Sequence, residues 1–339
     1  MVLKRSCSAM RASRFEASRC CLDTYPGSEY ATLCLLVGYL AGRDICGAKI
    51  AARTQSRKVR RTMLQQEAMI ARTRNVCRED ERLVAAMMYG SFAQGEGDGF
   101  SDVEFILFFR DEELEGLDQE EWVSRISPVA MYFVNEYGNG TAIFDNLVRG
   151  EFHFDRASEM ESVVGESMRD ADWLPSLEDT LILDRTGELA PRLREIVGPP
   201  PERDTPGQIR FVCDCFVNWF VFGANLFARG ELARSLDLLG IVRDRLLQMV
   251  RVLEGSILHW FNSAKFLETE ISEASYARYA ECTARLDREE LRQAYLSAWE
   301  WGRELMASLG KRHGVAPPAT LLVRLDRRFA ETFGTPGGG

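Results

Sequence analysis

Two apolar runs, and the turn that joins them, constrain the fold of this chain more than any other feature. Residues 83–89 and 105–109 have the length and residue types of buried strands, and the turn between them begins with a Gly-Ser pair at 90–91. Asp102 and Glu104 precede the second run. Side chains two apart on a strand point to the same face, so these carboxylates lie side by side and repel each other. A divalent cation removes that repulsion, and the pattern therefore predicts a metal site.

The Gly-Ser pair predicts a phosphate-binding element beside the acids. Gly90 lets backbone amides approach a phosphate without a Cβ in the way. Ser91 has two interpretations: it donates its hydroxyl and amide to a phosphate, or it caps a helix that starts there. Ser101 likewise either touches a phosphate or caps the strand. A phosphate cradle next to metal-binding acids is suited to nucleotidyl transfer.

The patterns along the rest of the chain predict an α+β fold in two domains. Residues 1–62 carry 12 Lys/Arg against 4 Asp/Glu without periodicity; we expect a basic, poorly ordered extension, with Met63 as the start of the working protein. Strand-like runs and helices over 63–197 predict a mixed sheet with helices, the catalytic domain. Apolar residues at helical spacing over 204–312 predict an all-α bundle of four or five helices. We expect 313–339 to be a frayed C-terminal tail.

Charge and cysteine usage limit the partners and the compartment. The net charge is -9, and the body of the chain beyond the basic extension is more acidic still, which argues against nucleic acid. No uninterrupted apolar run reaches membrane-spanning length, so we expect no membrane partner. The nine cysteines are odd in number and lack the spacing of a zinc site or a disulfide framework. A cytoplasmic location follows, with Cys213 and Cys215 as packing thiols.

The pattern is similar to a known signature. Gly90-Ser91, followed after ten residues by Asp102-Val103-Glu104-Phe105, resembles that of the DNA polymerase β-type nucleotidyltransferases. The segments that also resemble the lincosamide nucleotidyltransferases are 88–98, 101–105, 135–138, 140–144 and 149–154. The similarity covers about 63–313 and leaves out the basic extension. It implies a homodimeric enzyme that adenylylates a hydroxyl of lincomycin or clindamycin with ATP and Mg²⁺, releasing pyrophosphate and conferring resistance.

The resemblance also implies roles for individual acids. Asp102 and Glu104 would bind the magnesium that bridges the triphosphate, and a third carboxylate would act as the base. Glu151 is the best match for the third, because residues 150–154 alternate as a strand does and place Glu151 and His153 on one face. Asp145 and Asp155 are its rivals.

Other candidate site residues have competing structural interpretations. His153 would orient the antibiotic or tune the base, or would simply be a packed residue. Lys265, on a predicted helix, would reach the triphosphate or would be a solvated lysine. Tyr137 and Phe144 are candidate aromatic walls for an amphipathic drug, although most aromatic residues belong to a core.

Two alternatives to the lincosamide prediction remain. Acidic groups in the helical half would suit a cationic aminoglycoside, since fold does not fix the substrate. A non-catalytic, regulatory or interaction protein of the same fold is the second alternative. It would be favoured if Glu151, Asp145 and Asp155 all pointed away from Asp102 and Glu104.

Overall fold

The computed structural model describes residues 63–165, 168, 173–315 and 317–334. The predicted basic extension at 1–62 and the final five residues lie outside these ranges. The chain divides between Pro201 and Glu202 into two compact units, a sheet-containing unit and a helical unit.

The first unit is built on a six-stranded mixed sheet in the order β3-β4-β5-β2-β1-β6. β2 and β5 are parallel, and all other neighbours are antiparallel. The strands are β1 Leu83–Met88, β2 Val103–Phe109, β3 Val129–Val134, β4 Gly140–Phe144, β5 Arg149–Arg156 and β6 Leu181–Asp184. The predicted strands are confirmed, with the last as an edge strand.

Short helices surround this sheet. They span Gln65–Glu79, Gly90–Ala93, Asp111–Leu114, Gln119–Ser124, Met160–Val163, Leu177–Thr180 and Leu189–Ile196, with a 3-10 turn at Ala157–Glu159. The acidic stretch 111–122 contributes to two of these helices rather than forming one continuous helix. Asp118 interrupts it by capping the second helix, where its carboxylate accepts a hydrogen bond from the backbone N–H of Glu121 at 2.9 Å.

Aromatic side chains hold the central strands together beneath the site. All six residues of β1 are buried. Phe105 of β2 and Phe152 of β5 are in register and stack with ring centroids 5.8 Å apart. Trp122 packs edge-on against Phe152. Burying each such ring contributes roughly 1.5–3 kcal/mol, so the pairing of β2 with β5 is firmly fixed.

The described residues of the second unit, 202–315 and 317–334, form helices and no strand. Its helices span Pro206–Arg229, Leu232–Glu254, Leu267–Glu270, Glu273–Glu281, Arg288–His313 and Ala319–Phe333. Thr205 caps the first helix by accepting a hydrogen bond from the backbone N–H of Gln208 at 3.2 Å, and Pro206 occupies the first turn. Gly230 ends this helix in a left-handed conformation.

The segment 313–339 is not simply a tail. Its helix Ala319–Phe333 buries Phe329 and Phe333 almost completely. The ring centroid of Phe329 lies 4.7 Å from that of Phe220 and 4.7 Å from that of Trp299. The expectation of a frayed tail is therefore wrong for 319–333, because these rings complete the aromatic core of the helical unit.

One helix in the described part of the chain, Pro206–Arg229, is long and apolar enough to cross a membrane by length and composition. Half of its apolar window is buried inside the protein, and a buried core helix meets the same criterion. Cys213 on this helix is a buried free thiol whose Sγ lies 4.0 Å from Sδ of Met249. Burial raises the pKa of Cys213 to about 12, which makes it a packing residue rather than a nucleophile.

Candidate active site

Two carboxylates stand side by side on the open face of the sheet. The parallel pairing of β2 and β5 aligns Glu104 with Glu151, and Ile106 with His153. Aligned residues on neighbouring strands share a face, so Glu104, Glu151 and His153 lie on the same side. Asp102, two residues before Glu104, precedes β2 by one residue and lies on this side too.

Gly90 touches the second acid directly. A Cβ built on Gly90 would lie 1.7 Å from Oε2 of Glu104, closer than any real contact allows. The backbone of Gly90 also has φ +72°, a left-handed conformation that favours glycine. The Gly-Ser turn and the acid strand therefore meet, and they meet through a position that only glycine fills without strain.

Arg149, at the start of β5, joins the acids from the two strands. Its Nη1 donates to Oδ2 of Asp102 at 2.5 Å, and its Nη2 donates to Oε2 of Glu151 at 2.6 Å. The guanidinium offsets the repulsion that two clustered carboxylates would otherwise suffer. Glu151 thus faces the acid pair, and the orientation that would favour a non-catalytic relative is not observed.

Three more side chains surround Glu151. Asn139 Nδ2 donates to its Oε1 at 3.1 Å, and the Tyr89 hydroxyl donates to the same oxygen at 3.4 Å. The Tyr89 hydroxyl also lies 2.9 Å from Nε2 of His153. Hydrogen bonds from His153, Arg149 and Asn139 lower the pKa of the Glu151 carboxyl from 4.5 to about 2, although burial opposes the shift.

This lowered pKa predicts an acid-sensitive contribution to stability. A carboxyl with a depressed pKa stabilises the fold above its unfolded value of 4.5, and this stability is lost as the pH falls towards 2. We expect the free energy of unfolding to fall between pH 6 and pH 3 by about 2 kcal/mol more in the wild type than in Glu151→Gln. Denaturant unfolding of both proteins at the two pH values measures the difference. Equal losses would show that Glu151 is not held as described.

The donor set fits a hard divalent cation in its chemistry, since Asp102, Glu104 and Glu151 all offer carboxylate oxygens. Within the described ranges, however, no group of three Asp, Glu, His or Cys is arranged to hold a metal ion. The guanidinium of Arg149 engages one oxygen of Asp102 and one of Glu151. A metal ion that used those same two oxygens would have to displace Arg149.

The two serines differ in what the structure assigns to them. Ser91 lies inside the short helix Gly90–Ala93, whose N-cap is Tyr89, so the interpretation of Ser91 as a helix cap is wrong. Ser101 closes a turn with Asp98, because its hydroxyl donates to Oδ1 of Asp98 at 3.0 Å and accepts from the Asp98 N–H at 3.1 Å. Phosphate contacts by Ser91 and Ser101 remain predictions.

The two aromatic residues predicted to line the drug site differ in burial. Tyr137 is 58% exposed in the turn between β3 and β4, where it is accessible to a ligand. Phe144 is fully buried and packs against Phe152, so its prediction as a drug contact is wrong. The register of β4 explains this, because Thr141 aligns with Glu151 and the alternation then turns Phe144 to the opposite face.

The comparisons with known proteins bear on the helical unit most directly. Residues 205–328 match the family described as lincosamide nucleotidyltransferase-like, C-terminal domain. The match lies in the helical unit and spans less than half of the chain, so it shows that this unit is similar to the C-terminal domain of that family. Over these residues it confirms the resemblance inferred from the sequence. A search of curated proteins finds no match.

Solved structures add a distant likeness. An aminoglycoside 6-adenyltransferase from Bacillus subtilis is 15% identical with a TM-score of 0.37, covering 81% of this chain and 100% of that one. A nucleotidyltransferase-like protein from Exiguobacterium sibiricum 255-15 is 14% identical with a TM-score of 0.34, covering 72% and 77%. Scores this low carry no argument about substrate.

Lys265 lies within the matched residues 205–328. Its ammonium is 5.4 Å from the ring centroid of Phe266, and its carbonyl accepts a hydrogen bond from the buried Arg251 at 2.5 Å. Arg251 also holds Glu270, which in turn contacts Nδ1 of His259 at 2.8 Å. The loop around Lys265 is therefore tied to a buried arginine, and a phosphate contact by Lys265 stays a prediction.

Proposed function

We propose that the protein is a magnesium-dependent nucleotidyltransferase that transfers AMP from ATP to a hydroxyl group of a lincosamide such as lincomycin or clindamycin. The observation that carries this proposal is the alignment of Glu104 with Glu151 on parallel strands, with Asp102 tied to Glu151 through Arg149. The contact of Gly90 with Glu104 brings the Gly-Ser turn to the same place. The family of the C-terminal domain supports the choice of drug class.

The proposed reaction forms a bond between the drug oxygen and the α-phosphorus of ATP and breaks the bond from that phosphorus to the β-phosphate oxygen. Pyrophosphate leaves. Asp102 and Glu104 would hold Mg²⁺, which when bound offsets negative charge on the phosphates. Glu151 would accept the proton of the drug hydroxyl.

Glu151 needs a change of environment to act as this base. A carboxylate with a pKa of about 2 accepts a proton weakly, and its hydrogen bonds to His153, Arg149 and Asn139 keep it so. Loss of any of these partners when substrates bind would raise the pKa towards the ordinary value. Tyr89 and His153 are placed to receive the proton onward, since the Tyr89 hydroxyl contacts both Glu151 and Nε2 of His153.

The substrate proposal is tested by incubating the full chain with ATP, Mg²⁺ and separately lincomycin, clindamycin or kanamycin, followed by mass spectrometry. We expect the two lincosamides to gain one AMP group, and kanamycin to remain unchanged. A gain on kanamycin alone would replace the lincosamide assignment with the aminoglycoside alternative. No gain on any drug would contradict both. Omission of the metal with a chelator present is the control, and competition with GTP, CTP and UTP measures nucleotide preference.

We also propose that the enzyme works as a homodimer in the cytoplasm. The four cysteines of the described ranges are free thiols, which suits a reducing compartment. Light scattering of the purified chain measures the assembly, and a mass of one chain at working concentration would overturn the dimer.

A further inference from the structure

The cation that holds the acid cluster together belongs to the protein itself. Arg149 contacts Asp102 and Glu151 through two different nitrogens of one planar group, at 2.5 and 2.6 Å. Asp102 lies 47 residues before Arg149 in the chain, and Glu151 lies two residues after Arg149 on the same strand. Charge-assisted pairs of this kind are short and directional. The guanidinium therefore does what a metal ion would do, since it links acids from two strands.

A divalent cation and Arg149 cannot use the same oxygens at once. Arg149 engages Oδ2 of Asp102, one of the two acids proposed to hold Mg²⁺, and both cations are attracted by the same negative charge. Arg149 would also repel a nearby cation by its own charge. Metal binding to the protein alone must therefore work against Arg149, whereas an anionic nucleotide offers the guanidinium a new partner.

We propose that Arg149 holds the carboxylates of Asp102 and Glu151 in competition with the divalent cation that Asp102 and Glu104 would bind, and that it leaves them for the nucleotide phosphates when metal and nucleotide bind together. This inference rests on the proposed function. It makes Arg149 a positioning residue that couples metal binding to nucleotide binding.

The geometry permits this exchange. The side chain of Arg149 is 38% exposed, so it can turn without leaving a buried cavity. Arginine presents its N–H groups as a rigid fork that matches phosphate as well as carboxylate.

The test measures Mn²⁺ binding to the purified full chain by electron paramagnetic resonance, first with the metal alone. We expect Arg149→Gln to bind Mn²⁺ about tenfold more tightly than the wild type, because the competing cation is gone. Arg149→Lys should fall between them, since it keeps the charge but loses the fork. The matched control is Arg156→Gln, which removes the same charge from the same strand, where Arg156 donates to the Asp111 carbonyl at 2.9 Å. It should bind like the wild type.

The second measurement adds α,β-methylene-ATP, with the Mn²⁺ bound by the nucleotide itself subtracted. Nucleotide should tighten Mn²⁺ binding in the wild type and tighten it much less in Arg149→Gln, because coupling between two ligands is reciprocal and needs the linking group. If Arg149→Gln is poorly folded without metal, its melting temperature should rise with Mn²⁺ more than that of the wild type. In that case the Mn²⁺ affinity of Arg149→Lys is compared with that of the wild type instead.

Equal Mn²⁺ affinity in Arg149→Gln, Arg156→Gln and the wild type would overturn the inference, as would undiminished coupling to nucleotide in Arg149→Gln. Failure of the proposed function has a different signature. If the Mn²⁺ pattern is as expected but no drug gains AMP, the reaction is misassigned and the role of Arg149 stands. If drugs gain AMP while Mn²⁺ binding ignores Arg149, the reaction stands and the role of Arg149 falls.

Discussion

Asp102→Asn and Glu104→Gln are each expected to lower AMP transfer by about 10³-fold or more while the chain stays folded. Each change removes a negative oxygen donor for the metal and keeps nearly the same shape, so the loss is electrostatic rather than steric. Rates at saturating ATP and drug, with Mg²⁺ varied, measure the effect. Raising Mg²⁺ should restore little, because an amide oxygen is a poor substitute for a carboxylate.

Asp145→Asn is the matched control for these variants. Asp145 is exposed in the turn between β4 and β5, and its removal changes the net charge by the same amount. We expect its rate to remain within about twofold of the wild type, as for most surface substitutions. A variant at Asp102 or Glu104 that kept a tenth of the wild-type rate would show that the reaction centre lies elsewhere.

We do not expect Asp102→Asn to stabilise the protein, although the change removes one acid from a cluster. Removing one acid from a repelling cluster usually stabilises a protein. Asp102, however, is paired with Arg149, and both side chains are about a third exposed, at 34% and 38%. We therefore expect a small loss of stability, within the range of about 0.2–1 kcal/mol that exposed ion pairs contribute.

The local arrangement of the acids could be predicted from the sequence because it depends on strand alternation alone. Asp102 and Glu104 are two residues apart, and Glu151 and His153 are two residues apart, so each pair shares a face whatever the topology. The role of Arg149 could not be predicted, because it depends on the parallel pairing of β2 with β5. The same holds for Tyr89 and Asn139, which reach Glu151 from other elements.

Two wrong predictions have identifiable causes. The sequence alone does not give the register of β4 against β5, so it cannot show which face Phe144 occupies. The alignment of Thr141 with Glu151 shows that Phe144 faces the core. The helix at 319–333 had a visible signal, since Leu322, Leu325, Phe329 and Phe333 recur at helical spacing and are all buried.

Gly90→Ala is the second variant expected to have a large effect, on both stability and rate. The added Cβ would lie 1.7 Å from Oε2 of Glu104, and the backbone φ of +72° is unfavourable for alanine. Glu104 must move or the turn must open, and a displacement of about 1 Å at a reacting centre can lower the rate about 10²-fold. We expect at least that loss in kcat/KM for AMP transfer.

Gly95→Ala separates the effect of the left-handed backbone conformation from the effect of the contact between the new Cβ and Glu104. Gly95 has nearly the same backbone conformation, with φ +75°, but a Cβ there would have nothing within 4 Å. It should show only the backbone cost of about 1–2 kcal/mol in the free energy of unfolding, with kcat/KM close to wild type. Gly90→Ala should carry a similar backbone cost and, because the Glu104 carboxylate must shift away from the new Cβ, lose its rate as well. Equal rates in the two variants would mean that the contact between Gly90 and Glu104 does not position the acid. Backbone strain alone would then explain the rates of both variants.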